Sequence, residues 1–270
     1  MAKADRLAIN SSYFDGLSAH QFASGSPHMA HASLRALWRQ LVRSVYSAAA
    51  DNINVPKVLD LGAGDGFASL AFLEQGASVT AVDSSVEPLR RLWQYGAGSN
   101  RLTIREQSVE DYLQENHGKF DIAVASSLLH HVPDYLAVVS KMAALTEQRG
   151  QILLFQDPLR YDTQGYFTRG FAFISYFFWR MLQPDLGGGI RRRLRRMRGV
   201  YLDDCPQDQV EYHVVRNGVD QDAIVNLLRA RGFEVKIIQY WSQQSGLFQA
   251  LGTRLGLTNS FAIHATLRDG

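Results

Sequence analysis

Residues 58–66, which read VLDLGAGDG, decide the fold of this chain. A short apolar run containing Asp60 leads into three glycines at alternate positions, and a helical pattern begins at Phe67. Glycines allow the backbone to turn tightly and let a ligand approach closely. The start of a helix favours negative charge. The segment therefore predicts a strand, a ligand-binding turn and a helix that binds an anionic group.

The spacing of these glycines argues against a dinucleotide-binding loop. That fingerprint needs a further glycine three residues after the second, and this position is Phe67. An acidic residue, Asp83, closes the next predicted strand, and its carboxylate is suited to accept hydrogen bonds from ribose hydroxyls. The chain thus has the order of a nucleoside-binding unit: a strand, a glycine turn, a helix, a second strand and an acidic residue.

Strand and helix patterns alternate on both sides of this loop, which predicts a parallel, doubly wound α/β sheet. The carboxyl ends of its strands would form one ligand-binding edge. The predicted strands are Lys57–Leu61, Ser78–Val82, Arg101–Arg105, Phe120–Ser126, Gly150–Gln156, Phe233–Tyr240 and Ser260–Leu267. The predicted helices are Ala30–Ala50, Phe67–Gln75, Val86–Tyr95, Pro133–Leu145 and Asp220–Ala230.

The 270 residues are expected to form a single domain, since α/β folds of this length often do. We divide it into an N-terminal helical lid (1–50), a ligand-binding core (55–157), an inserted cap (158–217) and a C-terminal helix with a strand pair (218–270). No repeat or linker is visible.

Charge and cysteine content exclude several classes of protein. The formal net charge is +2, too small to indicate nucleic-acid binding. The stretch RRRLRRMR at 191–198 contains six arginines. Because these exceed the net charge of the whole chain, the remainder of the chain is net acidic. The single cysteine, Cys205, rules out an internal disulfide. With no signal-like start and no apolar stretch long enough to span a bilayer, we expect a cytoplasmic protein.

The motifs together resemble those of the class I S-adenosylmethionine (SAM)-dependent methyltransferases. VLDLGAGDG is similar to the first motif of that family and AVDSS to the second. RLTIREQSVEDYL lies where the family places its adenine-contacting turn, and FDIAVASSLLHHVPDY and GQILLFQDP match its fourth and fifth strands. The resemblance implies a Rossmann-like, seven-stranded, mostly parallel sheet with an antiparallel C-terminal strand.

The resemblance also implies SAM as cofactor and a set of residues that bind it. Asp60 would lie near the amino group of SAM, Asp83 would bind the ribose, and Ser126 would face the sulfonium. The full set expected to contact the cofactor is Tyr13, Asp60, Gly62, Ala63, Gly64, Asp83, Ser84, Ser108, Val109 and Ser126. Asp83 has an alternative role as a helix cap, and Tyr13 as packing for the N-terminal segment.

Two adjacent histidines follow the fourth strand, where the methyl group would project. Histidine titrates near neutral pH, so His130 or His131 is a candidate general base for a protonated acceptor. We favour His130 as the residue that faces the acceptor and interpret His131 as mainly architectural. No metal site is expected, because the histidines and Cys205 lack a ligand pattern.

The acceptor-binding residues are expected in the lid and the cap. His28, Asp157, Phe171, Tyr212 and His213 are the candidates, and each has an alternative structural role. Residues 166–179 read YFTRGFAFISYFFW, and helical spacing places Phe167 and Phe171 on one side. A helix apolar nearly all round is buried or covers an apolar ligand. Extra core and a homodimer contact are the alternatives.

These features favour methyl transfer to an O or C atom of a small, apolar acceptor of natural-product, terpenoid or prenyl type. Three roles are open for the arginine cluster. It is a solvated basic face, it binds an acidic group of the acceptor, or it contacts a membrane surface together with the aromatic stretch, over 166–198. An N atom as the acceptor stays open. Two other functions stay open as well: a membrane-associated lipid or quinone methyltransferase, and a protein that binds SAM or assists a cyclisation without transferring methyl. A nucleic-acid substrate is disfavoured, because SSLLHH follows the fourth strand in place of an Asn/Asp-Pro-Pro-aromatic tetrad.

Overall fold

The computed structural model describes residues 3–18, 25–51, 53–181, 212–213 and 217–268, together with Arg191 and Arg195. Cys205 and the rest of the arginine cluster lie outside these residues. Expectations that rest on them remain predictions.

Seven strands form one sheet within this described part. They are β1 (Lys57–Leu61), β2 (Ser78–Asp83), β3 (Leu102–Glu106), β4 (Phe120–Ser126), β5 (Thr146–Pro158), β6 (Phe233–Tyr240) and β7 (Ser260–Leu267). Their order in the sheet is β3-β2-β1-β4-β5-β7-β6. The first five run parallel, and β7 runs antiparallel to both β5 and β6. This confirms the predicted Rossmann-like sheet with its antiparallel C-terminal strand.

Helices cover both faces of the sheet. In chain order they are α1 (Lys3–Asp15), α2 (Pro27–Ala30), α3 (Ala32–Ala50), α4 (Phe67–Gln75), α5 (Val86–Tyr95), α6 (Val109–Tyr112), α7 (Tyr135–Ala144), α8 (Tyr166–Met181), α9 (Gln221–Ala230) and α10 (Gly246–Arg254). Short 3₁₀ turns occupy Leu129–His131 and Tyr161–Thr163.

Alternation of buried side chains along the strands separates two apolar clusters. The first contains Ile152 and Leu154 of β5 with the inner faces of α7 and α9. The second contains Leu153 and Phe155 with the inner faces of α3, α4 and α5. The central strands β1 and β4 and the middle of β5 are buried on both sides and read as nearly continuous apolar runs in the sequence, whereas the edge strand β3 is largely exposed.

Most element limits agree with the sequence pattern within a few residues, but four helices, α1, α2, α6 and α10, were not among the predicted ones. Helix α1 lies in a stretch that reads as polar, and α10 lies between two predicted strands. Strand β5 begins at Thr146, four residues earlier than expected, because an irregular register at Phe120 and Ile122 extends its pairing with β4.

Helix α8 forms as the aromatic spacing indicated, but much of its apolar surface is not buried. Phe171 packs against Trp241 and Phe248, with ring centroids 5.5 and 5.7 Å apart. The following α8 side chains are exposed: Tyr166, Phe167, Phe173, Ile174, Phe177, Phe178 and Met181. The interpretation of α8 as extra core therefore applies only to the side of the helix that carries Phe171. None of the described helices is long and apolar enough to cross a membrane.

Candidate active site

The glycine loop connects β1 to α4 at the carboxyl edge of the sheet. Gly62, Gly64 and Gly66 have φ angles of +70°, +50° and +89°, which residues with a side chain rarely adopt. The amides of Gly62 and Ala63 both donate to the carbonyl of Val82 at 2.9 and 3.0 Å. The loop is thereby tied to the end of the neighbouring strand β2.

Asp83 uses both of its carboxylate oxygens to bind backbone amides, and one of these amides belongs to the glycine loop. One carboxylate oxygen accepts from the Gly64 amide at 2.9 Å, and the other accepts from the Ser85 amide at 2.8 Å. Burial raises the pKa of Asp83, and these backbone hydrogen bonds oppose the rise. Since each carboxylate oxygen has a second lone pair, the residue still fits ribose hydroxyls.

Asp60 has an unsatisfied buried oxygen that fits the amino group of SAM. Its side chain is buried, and Oδ2 accepts from Ser69 Oγ at 2.6 Å. Its Oδ1 has no hydrogen-bond partner among the described residues. Burial raises the pKa of Asp60 to about 7. An ammonium group at Oδ1 would satisfy the oxygen and favour the ionised form.

Three buried oxygens without partners lie at the carboxyl ends of adjacent strands in the described part of the sheet. They are Asp60 Oδ1 on β1, Ser126 Oγ on β4 and Asp157 Oδ2 on β5. Buried polar atoms are nearly always hydrogen-bonded in a complete structure. Their position at adjacent strand ends supports the prediction that a polar ligand binds at this edge.

His130 and Asp157 form a close pair beside these atoms. Asp157 Oδ1 lies 2.8 Å from His130 Nδ1 and also accepts from the His130 backbone amide at 3.0 Å. Burial lowers the pKa of His130 to about 3 and raises that of Asp157 to about 7. When Asp157 is ionised, Nδ1–H donates to it and Nε2 carries the lone pair. The imidazole is then neutral, and its orientation is fixed by the carboxylate.

His213, a candidate acceptor-binding residue, contacts the turn that carries His130. Its amide donates to the His130 carbonyl at 2.8 Å, and its Nε2 lies 2.9 Å from the carbonyl of Val132. Its ring also meets Tyr135 edge-on at 4.7 Å. These contacts support a role in holding the Leu129–His131 turn. Tyr212 lies next to His213, with ring centroids 5.0 Å apart.

His131 and the N-terminal helix α1 meet on the outer side of the site. The His131 ring lies 3.9 Å from the His130 ring and 5.6 Å from that of Phe14 in α1. Tyr13 packs edge-on against Phe14 at 5.4 Å and is partly exposed. The architectural interpretation of His131 agrees with these ring contacts.

Two hydrogen bonds join α1 to the ribose side of the site. Ser11 Oγ donates to Ser84 Oγ at 2.9 Å, so Ser84 is linked to the lid. Asp15 Oδ1 accepts from the Glu87 amide at 2.9 Å, in the first turn of α5. Helix α1 thus spans the edge from Ser84 to His131.

His28 of α2 is buried against the start of α4 and against strand β5. Its ring lies 4.6 Å from that of Phe67, the first residue of α4, and 6.2 Å from that of Phe155. Its Nδ1 has no partner among the described residues, and burial lowers its pKa to about 3. It is therefore a neutral imidazole with an unused polar atom, consistent with the predicted acceptor contact.

Other candidates have defined local roles. Ser108 caps α6, because its Oγ accepts from the Asp111 amide at 3.1 Å, and Val109 packs in the first apolar cluster. Asp65 forms an ion pair with Arg91 at 2.8 Å and so braces the glycine loop against α5. No cluster of three or more metal-ligating side chains occurs among the residues that the structure describes.

The sequence analysis did not identify Gln156 and Tyr240, which are hydrogen-bonded to each other next to Asp157. Gln156 has a φ of +69°, and its amide donates to the Tyr240 hydroxyl at 2.9 Å. Nothing in the local pattern of β5 indicates a left-handed residue there. The only available signal was the polar Gln-Asp pair at the end of an otherwise apolar strand.

Comparison with known proteins places the chain in a family. Residues 31–236 match the family described as "Methyltransferase domain". The ubiquinone biosynthesis O-methyltransferase of Vibrio campbellii is 38% identical over 105 residues, which is 38% of this chain and 44% of that protein. The one from Xylella fastidiosa is 33% identical over 153 residues, 56% of this chain and 61% of that protein. The matched regions thus span less than two thirds of these relatives.

Solved structures with a similar fold cover nearly the whole chain. The magnesium protoporphyrin IX methyltransferase from Synechocystis, crystallised with SAM, has a TM-score of 0.53 at 18% identity and covers 99% of both chains. The N-methyltransferase NodS from Bradyrhizobium japonicum, in complex with S-adenosylhomocysteine, has a TM-score of 0.56 at 13% identity. It covers 98% of this chain and 100% of that one. At these identities the likeness concerns the fold. With the family match and the polar edge described above, the chain belongs to the methyltransferase-domain family and has the class I SAM-dependent methyltransferase fold.

Proposed function

We propose that this protein transfers a methyl group from SAM to an O or C atom of a small, apolar acceptor, with His130 as general base. The observation that carries the proposal is the His130–Asp157 contact of 2.8 Å at the ligand edge. A base is needed only when the acceptor arrives protonated, so this pair suits a hydroxyl or an acidic carbon, which must each lose a proton. The names of the relatives, O-methyltransferases of ubiquinone biosynthesis, support a hydroxylated acceptor.

Each part of the site has a task in this reaction. Asp60 and Asp83 would hold the amino group and the ribose of SAM, and the Gly62–Gly64 turn allows close approach. When bound, SAM supplies an electrophilic methyl group, and its sulfur keeps the electron pair of the broken carbon–sulfur bond. His130 Nε2 takes the acceptor proton, and Asp157 stabilises the resulting imidazolium. Helix α1 and His28 cover the site and limit water.

The test combines binding with turnover. We expect SAM and S-adenosylhomocysteine to bind in calorimetry, and a panel of hydroxylated apolar compounds to gain a methyl group by mass spectrometry. His130→Gln should lower kcat by about 10²–10⁴-fold while SAM affinity stays the same. The control is His117→Gln, because His117 contacts the Tyr112 carbonyl outside the site. Binding of SAM without turnover across the panel would favour the alternative of a protein that binds SAM without transferring methyl. Turnover of polar acceptors alone would refute the apolar substrate class.

A membrane-associated lipid or quinone methyltransferase is the second candidate, and an exposed apolar face favours it. Leu247, Leu251 and Leu255 follow helical spacing along α10 and beyond, and they are 67%, 41% and 55% exposed. Phe248 of α10 stacks on Phe178 of α8 at 5.9 Å, which joins this stripe to the exposed aromatics of α8. We name the exposed side chains of α8, together with these three leucines, the α8–α10 face.

The charges on these helices suit an anionic lipid surface. Residues 166–181 and 246–254 contain three arginines and no acidic residue, and the cluster at 191–198 adds six arginines in sequence. Apolar side chains flanked by arginines are the pattern of interfacial binding. We propose that this face contacts the headgroup region, so that an apolar acceptor can enter from the bilayer.

Vesicle co-sedimentation separates the two candidates. We expect binding to vesicles of phosphatidylcholine with phosphatidylglycerol and weak binding to phosphatidylcholine alone, with loss of binding in the double variant Leu247→Glu/Leu251→Glu. Trp93→Glu is the control, since Trp93 is an exposed aromatic on α5 away from the face. Equal sedimentation of all three proteins, or concentration-dependent dimerisation that the double variant abolishes, would refute the membrane contact.

A further inference from the structure

Strand β5 switches faces just before it reaches the active site. Phe155 packs in the second apolar cluster, whereas Leu159, four residues later, packs in the first. In a regular strand these two side chains would share a face. The pairing of β5 with β7 shifts between Phe155 and Asp157, and Gln156 has a φ of +69°. Gln156 is therefore the extra residue of a β-bulge.

The bulge brings Asp157 to His130. If Gln156 were an ordinary paired residue of a regular strand, Asp157 would lie on the face of Phe155, packed towards the second cluster. With it, the buried carboxylate accepts from both the ring and the backbone of His130. The orientation of the proposed base thus depends on a left-handed conformation that a glutamine does not favour.

Tyr240 and Ser242, which border the end of β6, hold Gln156 in this conformation. The Tyr240 hydroxyl accepts from the Gln156 amide at 2.9 Å and lies 3.2 Å from Gln156 Oε1, to which it donates. Gln156 Nε2 donates to Ser242 Oγ at 2.6 Å. The Tyr240 ring stacks on Phe155 at 5.5 Å, so the hydroxyl is fixed in place.

We propose that Tyr240 is a positioning residue for the proposed reaction: its hydroxyl stabilises the bulge at Gln156 and so keeps Asp157 aimed at His130. The expected effect on kcat rests on the proposed function. The expected effect on the contact between Asp157 and His130 does not. Tyr240 acts through Gln156 and Asp157 and needs no contact with SAM or acceptor.

The first experiment needs no acceptor. In the wild-type protein, we expect a downfield proton resonance from His130 Nδ1–H, assigned by its loss in His130→Gln. Tyr240→Phe should shift this resonance upfield or broaden it by exchange, because the Asp157 contact loosens. Tyr46→Phe, which removes a hydroxyl on α3, is the matched control and should leave it unchanged. An unchanged resonance in Tyr240→Phe would overturn the inference, whatever the outcome of acceptor screening.

A rescue variant distinguishes positioning from general damage. Glycine adopts positive φ without strain, so Tyr240→Phe/Gln156→Gly should recover the resonance at least in part. If the His130 resonance of the double variant is the same as that of Tyr240→Phe, the hydroxyl does not act through the bulge, and the inference is overturned. Should Tyr240→Phe fail to fold, Ser242→Ala removes the milder contact to Gln156 Nε2 and takes its place in the same comparison.

The kinetic experiment uses an acceptor found in the panel. Tyr240→Phe should lower kcat by about 10- to 100-fold with the KM for SAM unchanged, as expected for a displaced catalytic group. In an Asp157→Asn background, Tyr240→Phe should cause no further loss, because the group that it positions is already gone. Additive losses would overturn the inference. Absence of turnover in every variant would count against the proposed function and leave the resonance measurement to decide the positioning role.

Discussion

A Cβ atom on Gly62 would lie 2.8 Å from Leu128 Cδ1, closer than carbon atoms approach one another. Gly62 also has a φ of +70°. The first glycine of the loop is thus required both by its backbone and by a side chain from the turn after β4. That turn continues into His130, so the glycine packs the cofactor loop against the segment that carries the proposed base.

Gly62→Ala is expected to destabilise the protein and to weaken SAM binding. The positive φ and the clash together should lower the free energy of unfolding by about 2–5 kcal/mol, measured by urea denaturation. Gly98→Ala is the control, because Gly98 has a φ of +101° with open space around it. Gly98→Ala should lower the free energy of unfolding by about 1–2 kcal/mol, because of backbone strain alone. Similar losses in both variants would show that the Leu128 contact is unimportant.

The rate of methyl transfer should rise with pH through about 7. Below this value Asp157, whose pKa burial raises to about 7, is protonated and donates to His130 Nδ1. The ring proton is then on Nε2, and the base is lost. Above it, the carboxylate accepts Nδ1–H and Nε2 is available. A pH profile of kcat with a slow chemical step checks this, and Asp157→Asn should abolish the inflection. A profile that is flat from pH 6 to 8 would contradict the assignment.

SAM binding should release protons near neutral pH, because Asp60 is partly protonated before the ammonium group of SAM reaches it. Its pKa of about 7 reflects burial, and the bound cation favours ionisation. Affinity should therefore increase between pH 6 and 8. Calorimetry in buffers of different ionisation enthalpy measures the proton release. Asp60→Asn should abolish it and weaken binding by about tenfold. Ser78→Ala, on the exposed start of β2, is a suitable control.

Asp15→Ala is expected to loosen the lid and speed SAM dissociation. Ser85, the residue before α5, makes no side-chain cap of its own, and Asp15 supplies the carboxylate that accepts from the Glu87 amide. Loss of a helix cap costs about 0.5–2 kcal/mol, so the dissociation rate should rise by roughly 2- to 30-fold in stopped-flow fluorescence. Asp51→Ala, at the end of α3, is the control. An unchanged dissociation rate would mean that α1 does not retain the cofactor.

Local patterns were sufficient for the sheet and for the cofactor loop. Continuous apolar strands, the glycines at 62, 64 and 66 and the acid at 83 are short-range features, and each depends on neighbours within a few residues. The helix α10 was not predicted because GLFQALGTR is short, contains two glycines and lies between two predicted strands. In the structure Trp241 holds it, since the indole N–H donates to the Phe248 carbonyl at 3.0 Å and the ring lies against Gly252.

The sequence by itself determined the order of strands and helices, the ligand edge and the residue types that meet there, because periodicity and backbone preference act over short distances. Only the tertiary structure decided which of these residues work together. The pairing of Asp157 with His130 joins two strand ends, and it requires a left-handed Gln156 that Tyr240 holds from a strand more than eighty residues away. Such contacts depend on strand register and on the packing of distant segments, which no local pattern encodes.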